Sequence, residues 1–324
     1  MFGEIKTVQT MKILMFGRGV ISTQYAWALE KAGHTVEFYV RPSRKAEWGS
    51  TVVINILDAR KKIRGVSIKE NWPVTLVEDF SANHDYDLIL VSVQHYQFEN
   101  AVDFLANRIG QATILIFNNV WEEPTAAVAK LPANQLVWGF PRAGGGFDQR
   151  GVLHGTLFGK VIFGTFGTER TARGFEVIKL FRSAGFRIQE SKDFRSYLFA
   201  HFVANAALHF ETFKSISNLT FVEAMQTTEF WKNVNLDGKE LLPLLKARKV
   251  DLKATSELKI FDLPPWFLCL ATRLAMKFIP SIKQIPVRHS NQDELKSYCQ
   301  DVLATAEAMK IILPRFRARQ EVFK

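Results

Sequence analysis

The stretch Met11–Ser22, MKILMFGRGVIS, decides how the rest of the chain is read. Its opening is an apolar run of the kind that forms a parallel strand covered on both faces. Glycines follow at once: Gly17-Arg18-Gly19-Val20-Ile21-Ser22 fits the pattern G-x-G-x-x-G except in its last place. In that pattern the first glycine permits a tight turn and the second lets backbone approach a pyrophosphate. The phosphates then sit on a helix N-terminus, where free N–H groups and the helix dipole favour an anion. The third glycine only eases helix–strand packing, so Ser22 is tolerable there. Standing after a strand and opening a helix, these six residues are read as a dinucleotide-binding turn rather than a chance glycine bend.

Outward from the turn, a helix is expected from Val20 to Ala32, and GHTVEFYV turns at Gly33 into a second strand. An NAD site expects Asp or Glu at the end of that strand, to hold the ribose hydroxyls. Here Arg41 stands there, roughly 24 residues after Gly17, followed by Pro42, Ser43, Arg44 and Lys45. A cationic cluster matches the extra phosphate of NADP, so NADP(H) is the expected cofactor; the alternative is a solvated basic loop.

Farther along, TVVINIL (51–57), YDLILVSV (86–93), TILIF (113–117) and QLVWGF (135–140) read as strands, with helical stretches such as YQFENAVDFLANRI between them. This alternation predicts an open α/β sheet of Rossmann type. Then GVLHGTLFGKVIFGTFG (151–167) is glycine-punctuated, with hairpin character. TERTARGFEVIKLFRSAG predicts an amphipathic helix and FRIQES a strand; from Asp193 onward only helical signals remain. The expected organisation is an NADP-binding Rossmann domain over residues 1–192 and an all-α domain, for substrate and dimer contacts, over 193–324.

Length supports two domains, since 324 residues exceed what one core commonly holds. The net charge of +10 is scattered, which suits phosphate or carboxylate ligands; no nucleic-acid reader motif accompanies it, although PRFRARQEVFK closes the chain with a basic tail. Cys269 and Cys299 offer neither a disulfide framework nor metal-ligand spacing and read as reduced thiols of a cytoplasmic protein. No metal is expected, since no H-x-x-x-H pair occurs, and no serine nucleophile, since no G-x-S-x-G occurs. The first ten residues hold no apolar run of signal-peptide kind. LPPWFLCLATRLAMKFIP is interrupted by Arg273 and Lys277 and is shorter than the ~20 apolar residues of a membrane span. Its stretch Leu263–Ile279 reads as an amphipathic helix on a core or against a second copy.

Six pieces in order carry a wider resemblance: MKILMFGRGVIS, Arg41, DLILVSVQHYQ (87–97), IFNN (116–119), HFVAN (201–205) and DELKSYCQDVLATAEAMKIILP (293–314). From Met11 onward the chain resembles the ketopantoate reductase family. The resemblance implies a helical C-terminal domain like that of 6-phosphogluconate dehydrogenase. It also implies NADPH-dependent reduction of a small 2-keto acid, as of 2-dehydropantoate to pantoate. Where the family has a lysine near nicotinamide and substrate stands Gln94, while the family glutamine is kept as Gln97. The family asparagine after the fifth strand is matched by Asn118, followed by Asn119 instead of glycine. His201 stands where the family has its catalytic lysine, Asn205 keeps an asparagine, and Glu294 matches a glutamate. A family serine is matched either by Ser281 or by Ser290. Both lysines are replaced, which marks a divergent member.

The residues themselves point the same way. His201 and Asn205 are four apart and share a helix face. An unpaired buried polar group costs ~1–3 kcal/mol, so the pair is satisfied in the core or faces a cleft. Reducing a 2-keto acid needs a proton donor and groups that hold a carboxylate. With an unperturbed pKa of ~6.5, His201 is a candidate donor. Asn118 and Asn205 can donate hydrogen bonds; Glu294 either orients the donor or is a solvated helix carboxylate. Gln94 brings no charge, so another cation must balance the substrate: Arg142 in FPRAGGGF is a candidate, unless that stretch is only a surface loop. His289 is either a helix-start histidine or a substrate contact. Two rival functions remain: a non-enzymatic NADP-binding sensor, from the missing lysines, and a reductase of larger apolar carbonyls, from Trp121, Trp231 and Trp266.

Overall fold

In the computed structural model the structure describes residues 10–214, 220–253, 255–288 and 292–323. Residues 1–9, as well as His289 and Ser290, lie outside them. The apolar runs become strands where expected: β1 is Lys12–Phe16, and α1, Val20–Glu30, opens at once after the glycine turn. There follow β2 (Thr35–Tyr39), α2 (Arg44–Trp48), β3 (Thr51–Ala59), β4 (Val66–Pro73), β5 (Thr75–Val77) and β6 (Leu88–Val91). Next come α3 (Phe98–Leu105), β7 (Thr113–Ile116), α4 (Pro124–Ala127), β8 (Leu136–Phe140) and β9 (Ala143–Phe147). Then follow β10 (Leu153–Phe158), β11 (Lys160–Gly164), α5 (Ala172–Ser183) and β12 (Arg187–Ser191). Every residue of β6 and β7 is buried, as a strand covered on both faces requires.

The main sheet has the order β12-β11-β8-β7-β6-β1-β2-β5 and is parallel throughout except where β11 meets β8. From β1 the chain steps outward through β2 to β5, then crosses back to β6 on the other side of β1. The reversal between β1 and β6 opens a crevice at the carboxyl ends of those strands, where open α/β sheets hold ligands.

Two readings of the strands need correction. TVVINIL does not join the main sheet; as β3 it lies in a second sheet, order β4-β3-β10-β9. The glycine-rich stretch 151–167 is not a hairpin: β10 belongs to the second sheet and β11 to the first. Gly159 marks the crossing, where an added Cβ would lie 2.2 Å from the Arg60 carbonyl oxygen, so only glycine passes. Periodicity along one strand shows which face is buried but not which sheet buries it.

From Phe194 onward the described residues are helical: α6 (Phe194–Lys214), α7 (Phe221–Ala224), α8 (Thr228–Ala247), α9 (Pro265–Phe278), α10 (Pro280–Arg288), α11 (Gln292–Ala308) and α12 (Pro314–Arg317). α7 starts on a capping box of Thr220 and Glu223, and the Thr227 hydroxyl caps α8. α6 packs against α8 and α11 around Phe199, Phe202, Phe210 and Trp231.

The helices grip the sheets at two places. On the second sheet, Thr156 Oγ1 donates to the Ser281 carbonyl at 2.8 Å, Ser281 Oγ donates to the Ile63 carbonyl, and Gln284 Nε2 donates to Asn55 at 3.2 Å. Beside the first sheet, the segment after β7 is held from three helices. Trp121 Nε1 donates to Thr305 Oγ1 at 2.7 Å, and Arg195 forks onto Glu123 at 2.7 and 2.6 Å. The Arg248 guanidinium covers the rings of Trp121 and Phe199; burial pushes its pKa down to about 10.

The basic tail is not a free charge cluster. Arg315 bonds Asp237, Arg319 bonds Glu211 at 2.7 Å, and Phe316 stacks on Phe210 at 4.1 Å. Among the described residues no helix is long and apolar enough to cross a membrane.

Candidate active site

The glycine turn has the open geometry that an anion needs. Gly17 has φ +100°, a left-handed conformation that disfavours a side chain, and its N–H donates to the Tyr39 carbonyl at 3.1 Å. A Cβ added at Gly19 would meet nothing within 4 Å, so the turn faces open space. No side chain caps α1, and its first backbone bond runs from the Thr23 N–H to Gly19. The amides of Val20, Ile21 and Ser22 are therefore available to an anion. Arg18 lays its guanidinium 4.4 Å from the Trp48 ring, and its buried Nε has no partner. Open space, unbonded amides and an orphaned guanidinium N–H together fit a dinucleotide diphosphate. Ser22 does more than tolerate the third glycine position: fully buried, its hydroxyl donates to the Ser92 carbonyl at 3.3 Å, tying α1 to the end of β6.

Arg41 follows β2 by two residues, is exposed, and makes no ion pair among the described residues. Its neighbour Arg44 is paired with Glu47 and so is less available.

Across the crevice a polar network centres on a residue the sequence reading passed over, Tyr298. Its hydroxyl accepts a hydrogen bond from the Asn119 side chain, and the polar side chains of Asn205 and Glu294 lie beside it. Gln94 Nε2 in turn donates to both Glu294 oxygens at 3.0 and 3.1 Å, in the amide orientation that satisfies both groups. Four polar residues from the ends of β6 and β7, from α6 and from α11 thus meet around one phenol. Burial pushes that phenol's pKa well up, so it stays protonated. The signal was present: Glu294 and Tyr298 are four apart on one helix. A lone tyrosine in an apolar helix nevertheless reads first as core. His95 backs the phenol, ring centroids 4.5 Å apart, with Nε2 3.2 Å from Asp301 but not aligned for a hydrogen bond.

His201 stands one helical turn from Asn205 but outside this network. Its ring packs 4.4 Å from Phe140 and 5.9 Å from Tyr197. Burial, with the charge of Arg142 added, pushes its pKa down to about 4. The expectation of an imidazolium ready at neutral pH is corrected: with this pKa the ring is neutral there. Arg142 is exposed directly after β8, and its backbone N–H donates to the Tyr25 hydroxyl at 2.9 Å.

The remaining candidates are placed as follows. Asn118 is buried, with Oδ1 accepting from the Val93 N–H at 3.2 Å and Nδ2 donating to the Val93 carbonyl at 2.7 Å. Its amide is thereby committed to shaping the turn after β6 rather than to a ligand. Ser281 is committed to the second sheet. Trp121 and Trp231 are core residues, and Trp266 is exposed on α9, so these tryptophans do not assemble an apolar substrate pocket. Cys269 and Cys299 are free and buried.

Residues 13–168 match the family model described as ketopantoate reductase PanE/ApbA. The chain is similar in fold to a solved 2-dehydropantoate 2-reductase from Geobacter metallireducens GS-15, at 16% identity and TM-score 0.70, covering 97% of this chain and 99% of that one. It is similar also to a PanE/ApbA family ketopantoate reductase from Ralstonia eutropha JMP134, at 17% identity and TM-score 0.69, with 97% of both chains covered. A D-mandelate dehydrogenase solved with NADH and anilino(oxo)acetate matches at 14% identity and TM-score 0.69, again over 97% of both chains. No curated protein sequence matches the chain.

Proposed function

We propose that this chain, a divergent member of the ketopantoate reductase family of oxidoreductases, reduces a small 2-keto acid with NADPH. The observation that carries this reading is the convergence of Gln94, Asn119, Asn205 and Glu294 on Tyr298, across the crevice from an uncapped helix N-terminus. When bound, the reduced nicotinamide supplies a hydride to the keto carbon.

The chain's own residues do the rest. Val20, Ile21 and Ser22 donate N–H groups to the diphosphate, and Arg41 pairs with the extra phosphate that distinguishes NADPH from NADH. Arg142 receives the substrate carboxylate in place of a lysine. That carboxylate neutralises the charge that opposes His201 and adds one of opposite sign nearby. Both effects raise the imidazole pKa, so an anionic substrate draws the proton it needs onto the ring. The imidazolium N–H bond then breaks as the O–H bond of the product hydroxyl forms. Glu294, fixed by Gln94 and Tyr298, accepts a hydrogen bond from a substrate hydroxyl.

The test is NADPH oxidation against a panel of 2-keto acids, aldehydes and ketones, with cofactor titrated separately by fluorescence. The parent binds NADPH more tightly than NADH, and Arg41→Ala abolishes the preference. His201→Ala lowers the rate ~10²–10⁴-fold without weakening NADPH binding. Equal affinity for the two cofactors sinks the role of Arg41. Binding of NADPH with no oxidation by any carbonyl sinks the enzyme reading. The neutral state of His201, buried beside Arg142, favours one rival, a non-enzymatic NADPH sensor.

A further inference from the structure

The hydroxyl of Tyr197 serves no part of the fold. The residue stands one helical turn before His201 on α6, so Tyr197, His201 and Asn205 line one face of that helix. Its ring is held fast: edge-on to Phe140 at 5.4 Å, parallel to Phe194 within 12° at 5.6 Å, and parallel to His201 within 25° at 5.9 Å. The side chain is only 8% exposed, and its oxygen is buried with no aligned hydrogen-bond partner among the described residues. Phenylalanine would fill the same space without that unpaired polar atom, which costs stability. A ligand that completes the hydroxyl gives it a purpose.

Neighbouring groups locate the hydroxyl. The charges of Glu257 and Arg142 act on it, as does the Tyr25 phenol. Tyr25 is the residue whose hydroxyl accepts the Arg142 backbone N–H at 2.9 Å, and the Arg142 charge reaches His201 as well. The Tyr197 hydroxyl therefore lies where β8 ends, in the company of Arg142 and His201. Burial and Glu257 push its pKa up, so it keeps its proton and can donate. Among the described residues no carboxylate pairs with the Arg142 side chain, whose guanidinium is exposed.

We infer that Tyr197 is a further substrate-binding residue: its hydroxyl and the Arg142 guanidinium together hold the carboxylate of the 2-keto acid, one donor to each oxygen. The inference rests on the reductase reading and names a second ligand for the anion that Arg142 receives. A hydrogen bond from a protonated phenol to a carboxylate is of the strong, charge-assisted kind. The ring stack fixes the donor before substrate arrives, so little side-chain freedom is lost on binding. The carboxylate is thereby held one helical turn from the imidazole that meets the keto oxygen. Glu257, half-buried in the short helix Ser256–Asp262, opposes a second anionic group at the same place. The substrate class is accordingly a 2-keto monocarboxylate, not a dicarboxylate.

The probe is oxamate, a 2-keto acid mimic whose amide carbonyl does not accept hydride, titrated by calorimetry into the full chain saturated with NADPH. Tyr197→Phe weakens oxamate on the order of 10- to 100-fold, as loss of one hydrogen bond to a charged group does. It raises KM for a 2-keto acid by the same factor with kcat and NADPH affinity held, the mark of uniform binding. Arg142→Ala also weakens oxamate, and the double variant weakens it by less than the product of the two factors, since both residues grip one carboxylate. The urea midpoint of Tyr197→Phe does not fall. In the parent, 2-oxopentanoate has a higher kcat/KM than 2-oxoglutarate, its dicarboxylate of equal length, and Glu257→Gln narrows the gap. A parent that does not bind oxamate overturns the inference, as does unchanged oxamate affinity in Tyr197→Phe. So does a lowered midpoint, which gives the hydroxyl a role in the fold, or a preference for 2-oxoglutarate. Oxamate binding that depends on Tyr197, in a chain that oxidises NADPH with no carbonyl, keeps the carboxylate site and sinks the reductase reading instead.

Discussion

Removing the hydroxyl of Tyr298 takes from the half-buried Asn119 amide the oxygen it donates to, and a polar neighbour from Asn205 and Glu294. The ring itself packs on His95 and Phe202, at 4.5 and 4.6 Å, and phenylalanine keeps those contacts. Tyr298→Phe is therefore expected to lower stability by ~1–3 kcal/mol through unsatisfied polar groups alone, read from urea midpoints. An unchanged midpoint would show that the network does not depend on the phenol. In the sequence Gln94, Asn119, Asn205 and Glu294 stood out by their places in a family pattern, but the group that joins them did not. Apart from Glu294, one turn earlier on the same helix, the phenol's neighbours come from elements far apart in the chain, and local spacing carries no trace of them. The lowered pKa of His201 escaped for a related reason: it follows from burial beside Phe140 and from Arg142, both set by the end of another element.

At the scale of elements, α12 is held by its charges. Arg315 reaches Asp237, which is wholly buried; Asp237 shares its site with Glu211, and burial with that neighbour pushes its pKa up to about 7. The Glu240 carboxylate accepts the Arg315 backbone N–H at 2.9 Å. Arg315→Ala leaves the buried Asp237 without its cation, a change expected to cost about 3–5 kcal/mol in urea unfolding. Asp237→Asn in the same chain should recover much of that loss; if it does not, the ion pair is not what secures the helix. The elements themselves were largely legible. The glycine turn, α1, β2 and the apolar strands of the main sheet fell where the residues put them, because each is dictated by local chemistry. The second sheet was not, because β3 and β10 are partners separated by almost a hundred residues and nothing local distinguishes them from strands of the main sheet.

For the molecule as a whole, two buried groups titrate in opposition. The folded-state pKa of His201 is depressed to about 4, below its unfolded value near 6.5. Between those values the unfolded chain holds the extra proton, so stability is lost as pH falls from about 6.5 toward 4, with a slope of up to ~1.4 kcal/mol per pH unit. Asp237 is the opposite case: its pKa is raised from the usual carboxylate range to about 7, so its contribution is present in acid and is lost as pH rises through the same interval to about 7. The two slopes offset each other, and the parent's curve should stay nearly flat across that interval. His201→Gln should leave a midpoint that falls as pH rises toward 7, and Asp237→Asn one that falls as pH drops toward 4; a variant curve parallel to the parent's would remove that group from the account.

The pairing of β10 with β3 also has a consequence for how the chain is made. As the polypeptide leaves the ribosome, β3 and β4 emerge early and can close on each other. The other edge of β3 is parallel to β10, which is synthesised only after the whole run from β5 to β9. Until then Val52, Ile54 and Ile56, buried in the finished molecule, lie along an open backbone edge that other chains can extend. Translation that halts before Leu153 should therefore release an aggregating fragment, not a smaller working domain.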